Sequence, residues 1–469
     1  MHREDHLQEP PRVELREYGE AVLHVEPYGI EAIPNPERHG KSRSQFTLWL
    51  GSNLTIADFA LGFFPIALGM SWPWTVAALL VGNVLGAYAL SLCAVMGPYF
   101  GLPQLIISRR LFGQWGGYIP AFLNYLSTIG WFSVNNILGA FGLRVLIPTL
   151  PFWQAALLLV IVQGLIAVFG HNLIHAYERV MSVVLGILFV IVTMVLWQRP
   201  ALTQYHPAVH TNPWILFALV VAAALSYVGS WGPYASDYSR YLPQPRSRTP
   251  ILVWSFLGSF IASLWLELVG AGVAIVAGAA ANPILALHQV MGGLGGMAVI
   301  AIVLGGTAAD ALNLYSNGLA AQALNIRLPR WSLAAIAALI GLGLSLAASG
   351  SFEQYYDNFL LLLGYWMTPW LGVMFCDFYF SHKRLGAERT GPVSAMAWPA
   401  LGSFLIGILV SIPFMSSTLY TGPVAHALGG ADLTFYVGFL VAFFTYAFWA
   451  RTPSPRHLRG ITDVEMETS

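Results

Sequence analysis

Twelve apolar stretches, each near the length that crosses a bilayer, constrain this chain more than any other feature. They span 46–70, 73–97, 115–143, 152–170, 181–197, 213–236, 250–277, 294–324, 331–349, 355–378, 397–415 and 432–450, numbered here as helices 1 to 12. A hydrocarbon core about 30 Å thick takes roughly 20 residues per helix. At that depth every backbone polar group must find its partner inside the protein. The expected fold class is therefore an all-α membrane protein with about 12 transmembrane helices. An even count puts both termini on one side, and the basic residues say which. Of the 22 Lys and Arg, 20 lie before helix 1, after even-numbered helices or in the tail; only Arg144 and Arg199 occupy the alternate loops. That bias predicts cytoplasmic termini and a multi-pass protein of the cell (plasma or inner) membrane.

Composition agrees. Charged residues make up 9% of the chain, against about 25% in a soluble domain. The 22 basic residues balance 22 acidic ones, so no excess charge points to nucleic acid. Cys93 and Cys376 sit in apolar runs and read as packing residues, not as a disulfide framework or metal site. The polar start argues against a cleavable signal peptide. The first thirty residues and the tail after Arg451 read as mobile polar segments. The expected division is a cytoplasmic segment 1–45, one transporter domain 46–450 and a cytoplasmic tail 451–469.

Function depends on the helices that break the apolar rule. Helix 1 reads "FTLWLGSNLTIADFALGFFPIALGM", with Asp58 near its middle and Gly62, Pro65 and Gly69 beyond. Helix 6 carries "SYVGSWGPYASDY", with Gly229, Gly232 and Pro233. Gly and Pro interrupt the helical hydrogen-bond ladder. Two interrupted helices five apart predict an inverted five-helix repeat whose binding site lies between them at midplane. The repeats would be 46–197 and 213–378, with helices 11 and 12 (397–450) added. The plainer alternative is that Gly and Pro are simply common in membrane helices.

Helix 3 adds "NYLSTIGWFSVNNILG", where Asn124, Thr128, Trp131 and Asn135 form one helical stripe. An indole beside a carboxamide suits a planar heteroaromatic ligand: the ring stacks and the amide reads donors and acceptors. Helix–helix hydrogen bonding is the competing role. Helix 8 reads "LGGTAADALNLYSNGLAAQAL", with Thr307, Asp310, Asn313 and Asn317 on or near one face. A carboxylate at the bilayer centre costs at least about 2.5 kcal/mol on insertion scales, and marks ion or proton pathways. The competing role is a carboxylate satisfied by neighbouring hydroxyls. Asp58 is the natural second member of such a site. Glu267, in "SLWLELVG", has no polar neighbours in sequence and reads as structural. His171, His175 and Glu178 have helical metal-ligand spacing, but they fall in the 171–179 linker and are not read as a metal site. Arg109 and Arg110 follow the charge rule and reach lipid phosphates at most.

Five stretches in register are similar to the purine–cytosine permease branch of nucleobase–cation symporter family 1. They are "GLPQLIISRRLFG", "GWFSVNNILGA", "FGHNLIHAYERV", "SWGPYASDYSRYLP" and "ADALNLYSNGLAAQAL", with "YDNFLLLLGYW" as a weaker sixth. The resemblance implies a leucine-transporter-type 5+5 inverted repeat plus two extra helices, and inward symport of nucleobases. It implies that the 171–179 segment is a loop-and-gate element. On Trp131 and Asn135 it implies stacking and base-edge recognition. Relatives often carry Asn–Asn–x–x–Asn and then an aromatic and Ser in helix 8; here Ala309, Asp310, Asn313, Tyr315 and Ser316 stand there. Where relatives often have a small hydroxyl residue in helix 1, this chain has Asp58.

The expected substrate site is Trp131, Asn135, Thr128, Tyr227, Ser230, Trp231, Asp310 and Asn313, with Tyr227 or Trp231 as the second ring. The expected cation site is Asp58, Ala57, Asp310 and Thr307. No catalytic residue, metal or cofactor is expected beyond a coupling cation, a proton ahead of sodium. The expected partners are a small-molecule nucleobase and the lipid bilayer, without nucleic acid; the oligomeric state has no signature in the chain. Uracil, hydantoin- or allantoin-like bases and pyridine vitamins stay open as substrates. A channel lacks a reason for paired broken helices, and a membrane enzyme lacks a visible nucleophile–base or metal constellation.

Overall fold

The computed structural model describes residues 18–199 and 212–451 apart from 245–246, 280–281, 382–392 and 418, together with 202 and 205–207. The tail beyond Arg451 lies outside the described residues. Among them no strand forms; a single bridge pairs Ser416 with Thr421. Among the described residues nine helices are long and apolar enough to cross a membrane, and a bent pair, Ser44–Asn53 with Ile56–Ala67, makes a tenth span. Two shorter apolar helices, Trp398–Phe414 and Thr434–Ala450, are helices 11 and 12. All twelve expected stretches are helical.

One boundary differs by more than a few residues. Helix 5 runs from His171 to Trp197, so the 171–179 segment is helix, not loop. Gly170, with φ 87°, turns the chain directly out of Phe169 at the end of helix 4. Hydropathy misses these turns because they are polar; helicity does not depend on lipid exposure.

Helix 1 bends by 54° between its two halves. The bend lies at Leu54–Thr55, one turn before Asp58, where the sequence marks no breaker; the helix is interrupted a second time at Gly62, between Ile56–Leu61 and Phe63–Ala67, as the sequence suggests. Thr55 starts the second half: its Oγ1 accepts the Asp58 N–H at 3.3 Å, an N-cap that satisfies one free donor. Just before the break, the Asn53 amide donates to the Trp49 carbonyl at 2.8 Å. Gly62 has another purpose. A Cβ there would collide with the helix 7 backbone at Glu267 and Ala271. Helix 6 breaks where its Gly and Pro predict: Pro213–Gly229 ends, Gly232–Tyr234 is a 3-10 turn, and Ala235–Ser239 resumes.

The remaining spans are helix 2 (Trp72–Phe100), helix 3 (Tyr118–Leu146), helix 4 (Phe152–Phe169), helix 7 (Thr249–Ala277), helix 8 (Gly295–Ala323), helix 9 (Arg330–Ala348) and helix 10 (Phe352–Phe375). Helix 2 packs on helix 6 and helix 7 on helix 1; helix 3 packs on helix 8; helix 4 touches helix 8, and helix 9 touches helix 3. Exchanging each helix with the one five later maps this pattern onto itself, as a 5+5 repeat requires. Small residues make the closest approach possible: a Cβ on Gly86 would press on Leu225, Val228 and Gly229 of helix 6.

The segment before helix 1 is not peripheral. Tyr18, Tyr28 and Ile33 are buried and form a cluster with Tyr241, beyond the end of helix 6. This overturns the reading of residues 18–30 as mobile, while residues 1–17 lie outside the described residues; aromatic residues spaced among the charges give the segment a surface to bury.

Candidate functional site

The two helix breaks meet helices 3, 8 and 10. Because Leu54 leaves the helix, Thr55 and Asp58 face the same interior point. Asp58 is fully buried. Its Oδ2 accepts the Tyr227 hydroxyl at 2.7 Å and the Thr55 hydroxyl at 3.0 Å, while Oδ1 has no partner. Tyr227, in the last turn of helix 6 before its break, thus links the two broken helices. The Ala57 carbonyl accepts the Tyr356 hydroxyl of helix 10 at 2.9 Å.

The Tyr227 ring also meets Trp131 edge-on, with centroids 5.0 Å apart and planes at 81°. Phe359 of helix 10 stands on the same indole at 5.1 Å and 78°. Gly130 admits it, since a Cβ there would strike the Phe359 ring. The Trp131 indole N–H is buried without an acceptor. One turn on, the Asn135 amide donates to Asp310 Oδ1 at 3.2 Å, and its own Oδ1 is unpartnered. Asn313 donates to the same Asp310 oxygen at 3.4 Å and accepts the Tyr234 hydroxyl at 3.3 Å. Asp310 is fully buried, and its Oδ2 is free of any partner.

The expected residues therefore divide. Asp58, Trp131, Asn135, Tyr227, Asp310 and Asn313 come together. Thr128 does not: its hydroxyl accepts Asn317 at 2.8 Å, a joint between helices 3 and 8 one turn away. Ser230 donates to the Tyr227 carbonyl at 2.6 Å and Thr307 to the Val303 carbonyl at 3.0 Å, both within their own chain turns. Trp231 turns the other way, donating to Asn53 at 3.0 Å and meeting Trp49 edge-on. Sequence reasoning missed Thr55, Tyr234, Tyr356 and Phe359. The last two belong to the "YDNFLLLLGYW" stretch, the weakest of the six. Glu267 does have a partner, Asn83 of helix 2, which no local spacing could reveal.

Two cavities flank this centre. One of about 500 Å³ reaches Tyr356 from beside Phe63, Phe141 and Phe352. The other, about 860 Å³, lies at the opposite end beside His39, His175, Arg179 and Tyr238. Beyond it the chain is closed by a different network. Glu26 Oε1 accepts Arg240 at 2.7 Å, Tyr241 at 2.6 Å and Tyr315 at 3.0 Å; Oε2 accepts the His171 N–H at 3.1 Å. Arg330 lies 3.7 Å from the same carboxylate and donates to the Ala167 carbonyl at 2.8 Å. Burial alone would pull the Arg240 guanidinium down, but Tyr315, Glu26 and Tyr241 beside it hold its pKa above the ordinary range.

A family model described as a permease for cytosine/purines, uracil, thiamine and allantoin matches residues 32–438. The chain belongs to this family. It is a transporter, not an enzyme, of the purine–cytosine permease kind. It is 30% identical to the putative purine-cytosine permease YxlA of Bacillus subtilis (strain 168), over 89% of this chain and 94% of that one. It is 27% identical to the purine-cytosine permease fcyB of Emericella nidulans, covering 91% and 88%. Its fold is similar to that of Mhp1, a nucleobase-cation-symport-1 family transporter, in a closed conformation with bromovinylhydantoin bound. That match has a TM-score of 0.74 at 18% identity and covers 91% of this chain and 96% of that one. The fold is thus of the leucine-transporter type, in an integral, multi-pass membrane protein.

Proposed function

We propose that this permease is a secondary-active symporter that imports a cytosine- or purine-like base, coupled to a proton, across the cell membrane with both termini cytoplasmic. One observation carries the reading. Four buried polar atoms without partners, Asp58 Oδ1, Trp131 Nε1, Asn135 Oδ1 and Asp310 Oδ2, surround one cluster of aromatic rings. Buried polar groups are normally hydrogen-bonded, so such a concentration points to a ligand that satisfies them. The set offers an N–H donor and several acceptors beside π-faces, which is what the edge and face of a nucleobase require.

In this scheme the base enters from the outer cavity and stacks on Trp131, with Tyr227 or Phe359 moving from edge to face. Asn135, Asn313 and Asp310 read its edge. Tyr227 belongs to both sites: its ring touches the base platform and its hydroxyl holds Asp58. Stacking that shifts the ring also shifts the hydrogen bond on the acid, so base and proton favour the same state, typically by about 1–3 kcal/mol. A proton needs one acid, and Asp58, held by the Tyr227 and Thr55 hydroxyls, is the acid placed to take it.

Reconstitution in vesicles tests the reading. Radiolabelled cytosine should accumulate under an inside-alkaline gradient, saturate, collapse with a protonophore, and be displaced by purines more readily than by uracil, allantoin or a pyridine vitamin. Accumulation driven only by sodium would overturn the proton; failure of every base to compete would overturn the substrate.

A further inference from the structure

Glu178 sits in the second turn of helix 5 and is fully buried. Neither of its carboxylate oxygens has a hydrogen-bond partner. It lies against Gly51, in the half of helix 1 that precedes the break. A Cβ on Gly51 would collide with the Glu178 carboxylate and with its backbone carbonyl. That half, Ser44–Asn53, contains no titratable side chain, and neither does helix 4. The other elements packed on helix 5 bring Asp310 and Tyr315 on helix 8, Glu267 on helix 7 and His288 on the short helix Pro283–Met291. The two acids and Tyr315 are bonded elsewhere. On helix 5 itself, Tyr177 is adjacent, while His171, His175 and Arg179 line the 860 Å³ cavity. Ser44 and Thr47 of helix 1 line it too, so this carboxyl is one helical turn from solvent, shut in by helix 1.

An ionised carboxylate with no donor is far more costly to bury than a neutral acid. The interface between Gly51 and Glu178 is therefore compatible with one protonation state only. The joint at Leu54–Thr55 lets the first half of helix 1 swing from helix 5 independently of the half that bears Asp58.

We propose that Glu178 is a proton-binding site at the cytoplasmic gate. The neutral acid holds the first half of helix 1 against helix 5. When that half moves away, the O–H proton passes to water in the cavity and the carboxylate is hydrated. Closure takes a proton back from the cytoplasm, so the net proton count of a transport cycle does not change. Cytoplasmic acidity closes the gate and alkalinity holds it open. The proposal rests on alternating access in this fold, and not on which base or coupling ion is carried.

The test uses the full-length protein with Cys93 and Cys376 replaced by serine and spin labels at Ser42 and Val180, the latter 55% exposed on helix 5. Distances between the labels are measured without base or gradient from about pH 5 to about pH 9, a range that brackets raised carboxyl titrations. The parent should gain a longer-distance population as pH rises. Glu178→Gln should stay short throughout, losing the pH response, and Gly51→Ala should show the long population at every pH. His171→Gln and His175→Gln should keep the parent's response, which holds the test open if Glu178→Gln fails to fold. A flat parent, an unchanged response in Glu178→Gln, or loss of the response in either histidine variant would overturn the proposal. None of these outcomes depends on base transport, so failure of the symport reading would appear separately, as absent accumulation in vesicles.

Discussion

The centre of the permease and the closure around Glu26 are equally buried, yet their carboxylates are treated in opposite ways. Around Glu26, one carboxylate receives three side-chain donors and a backbone N–H, and an arginine faces it. Around Trp131, four polar atoms are left unpaired beside two carboxyls. A carboxylate with both oxygens engaged defines one geometry and resists change, even though Arg240 Nε, Arg330 Nε and His171 Nδ1 beside it have no hydrogen-bond partner. One with an oxygen free waits for a ligand. The first suits a lock across neighbouring ends of helices 5, 6, 8 and 9; the second suits a binding site. Burial alone would not have told them apart.

The sharpest way to break this contrast is to remove the lock. Glu26→Ala leaves Arg240 buried without its counter-charge, and breaking such a pair costs about 3–5 kcal/mol. We expect a large fall in the melting temperature of the solubilised protein. Unchanged melting would mean that the network holds nothing.

At the centre, Trp131→Ala should weaken base binding by about 1–3 kcal/mol, the usual worth of base–aromatic stacking. That is about 5- to 150-fold in Kd. Trp131→Phe should recover part of it. Titration of purified protein with cytosine decides; equal affinity in wild type and Trp131→Ala removes the stacking platform.

Asp58→Asn keeps the shape of the side chain and loses its titration. It should bind base within a few-fold of wild type while accumulation under a pH gradient falls to simple equilibration. Tyr227→Phe is subtler. It keeps the ring and removes the hydroxyl that holds Asp58, a bond worth about 0.5–1.5 kcal/mol, or more to a charged group. Base affinity should hardly change, while accumulation at a given pH gradient drops. The smallest effect belongs to Thr128→Val. Its bond to Asn317 joins two helices outside the ring cluster, and such membrane hydrogen bonds average about 0.6 kcal/mol. Melting should shift slightly and base selectivity not at all.

Much of this is legible in the sequence. Helix spans and the pairing of broken helices follow from apolar length and from Gly and Pro, which act locally. Trp131, Asn135, Asp310 and Asn313 stand out because a polar stripe in a membrane helix is costly. What escaped was decided by tertiary contact. Asn83 reaches Glu267 across 184 residues of chain. Phe359 enters beside Trp131 only because residue 130 is glycine. Thr128 looked like a site residue because the helical period cannot distinguish a stripe facing a ligand from one facing Asn317. The bend at Leu54 carries no Gly or Pro, so no breaker residue marks it. The N-terminal segment was misread because charge content hides the few aromatics that anchor it.

On this proposal the unpaired polar atoms around Trp131 form the ligand site and the fully engaged Glu26 carboxylate forms the lock. Two buried asparagines test it side by side. Asn135 has a free Oδ1 at the centre, while Asn172 donates to the Gly19 and Ala21 carbonyls at 3.0 and 3.1 Å in the closure. Base titration and thermal melting on Asn135→Ala and Asn172→Ala form one measurement. The account expects Asn135→Ala to lose at least about tenfold in base affinity, one unpaired polar contact to a ligand, with little change in melting, and Asn172→Ala to melt earlier with Kd unchanged. Wild-type base affinity in Asn135→Ala, or a loss of affinity confined to Asn172→Ala, would contradict it.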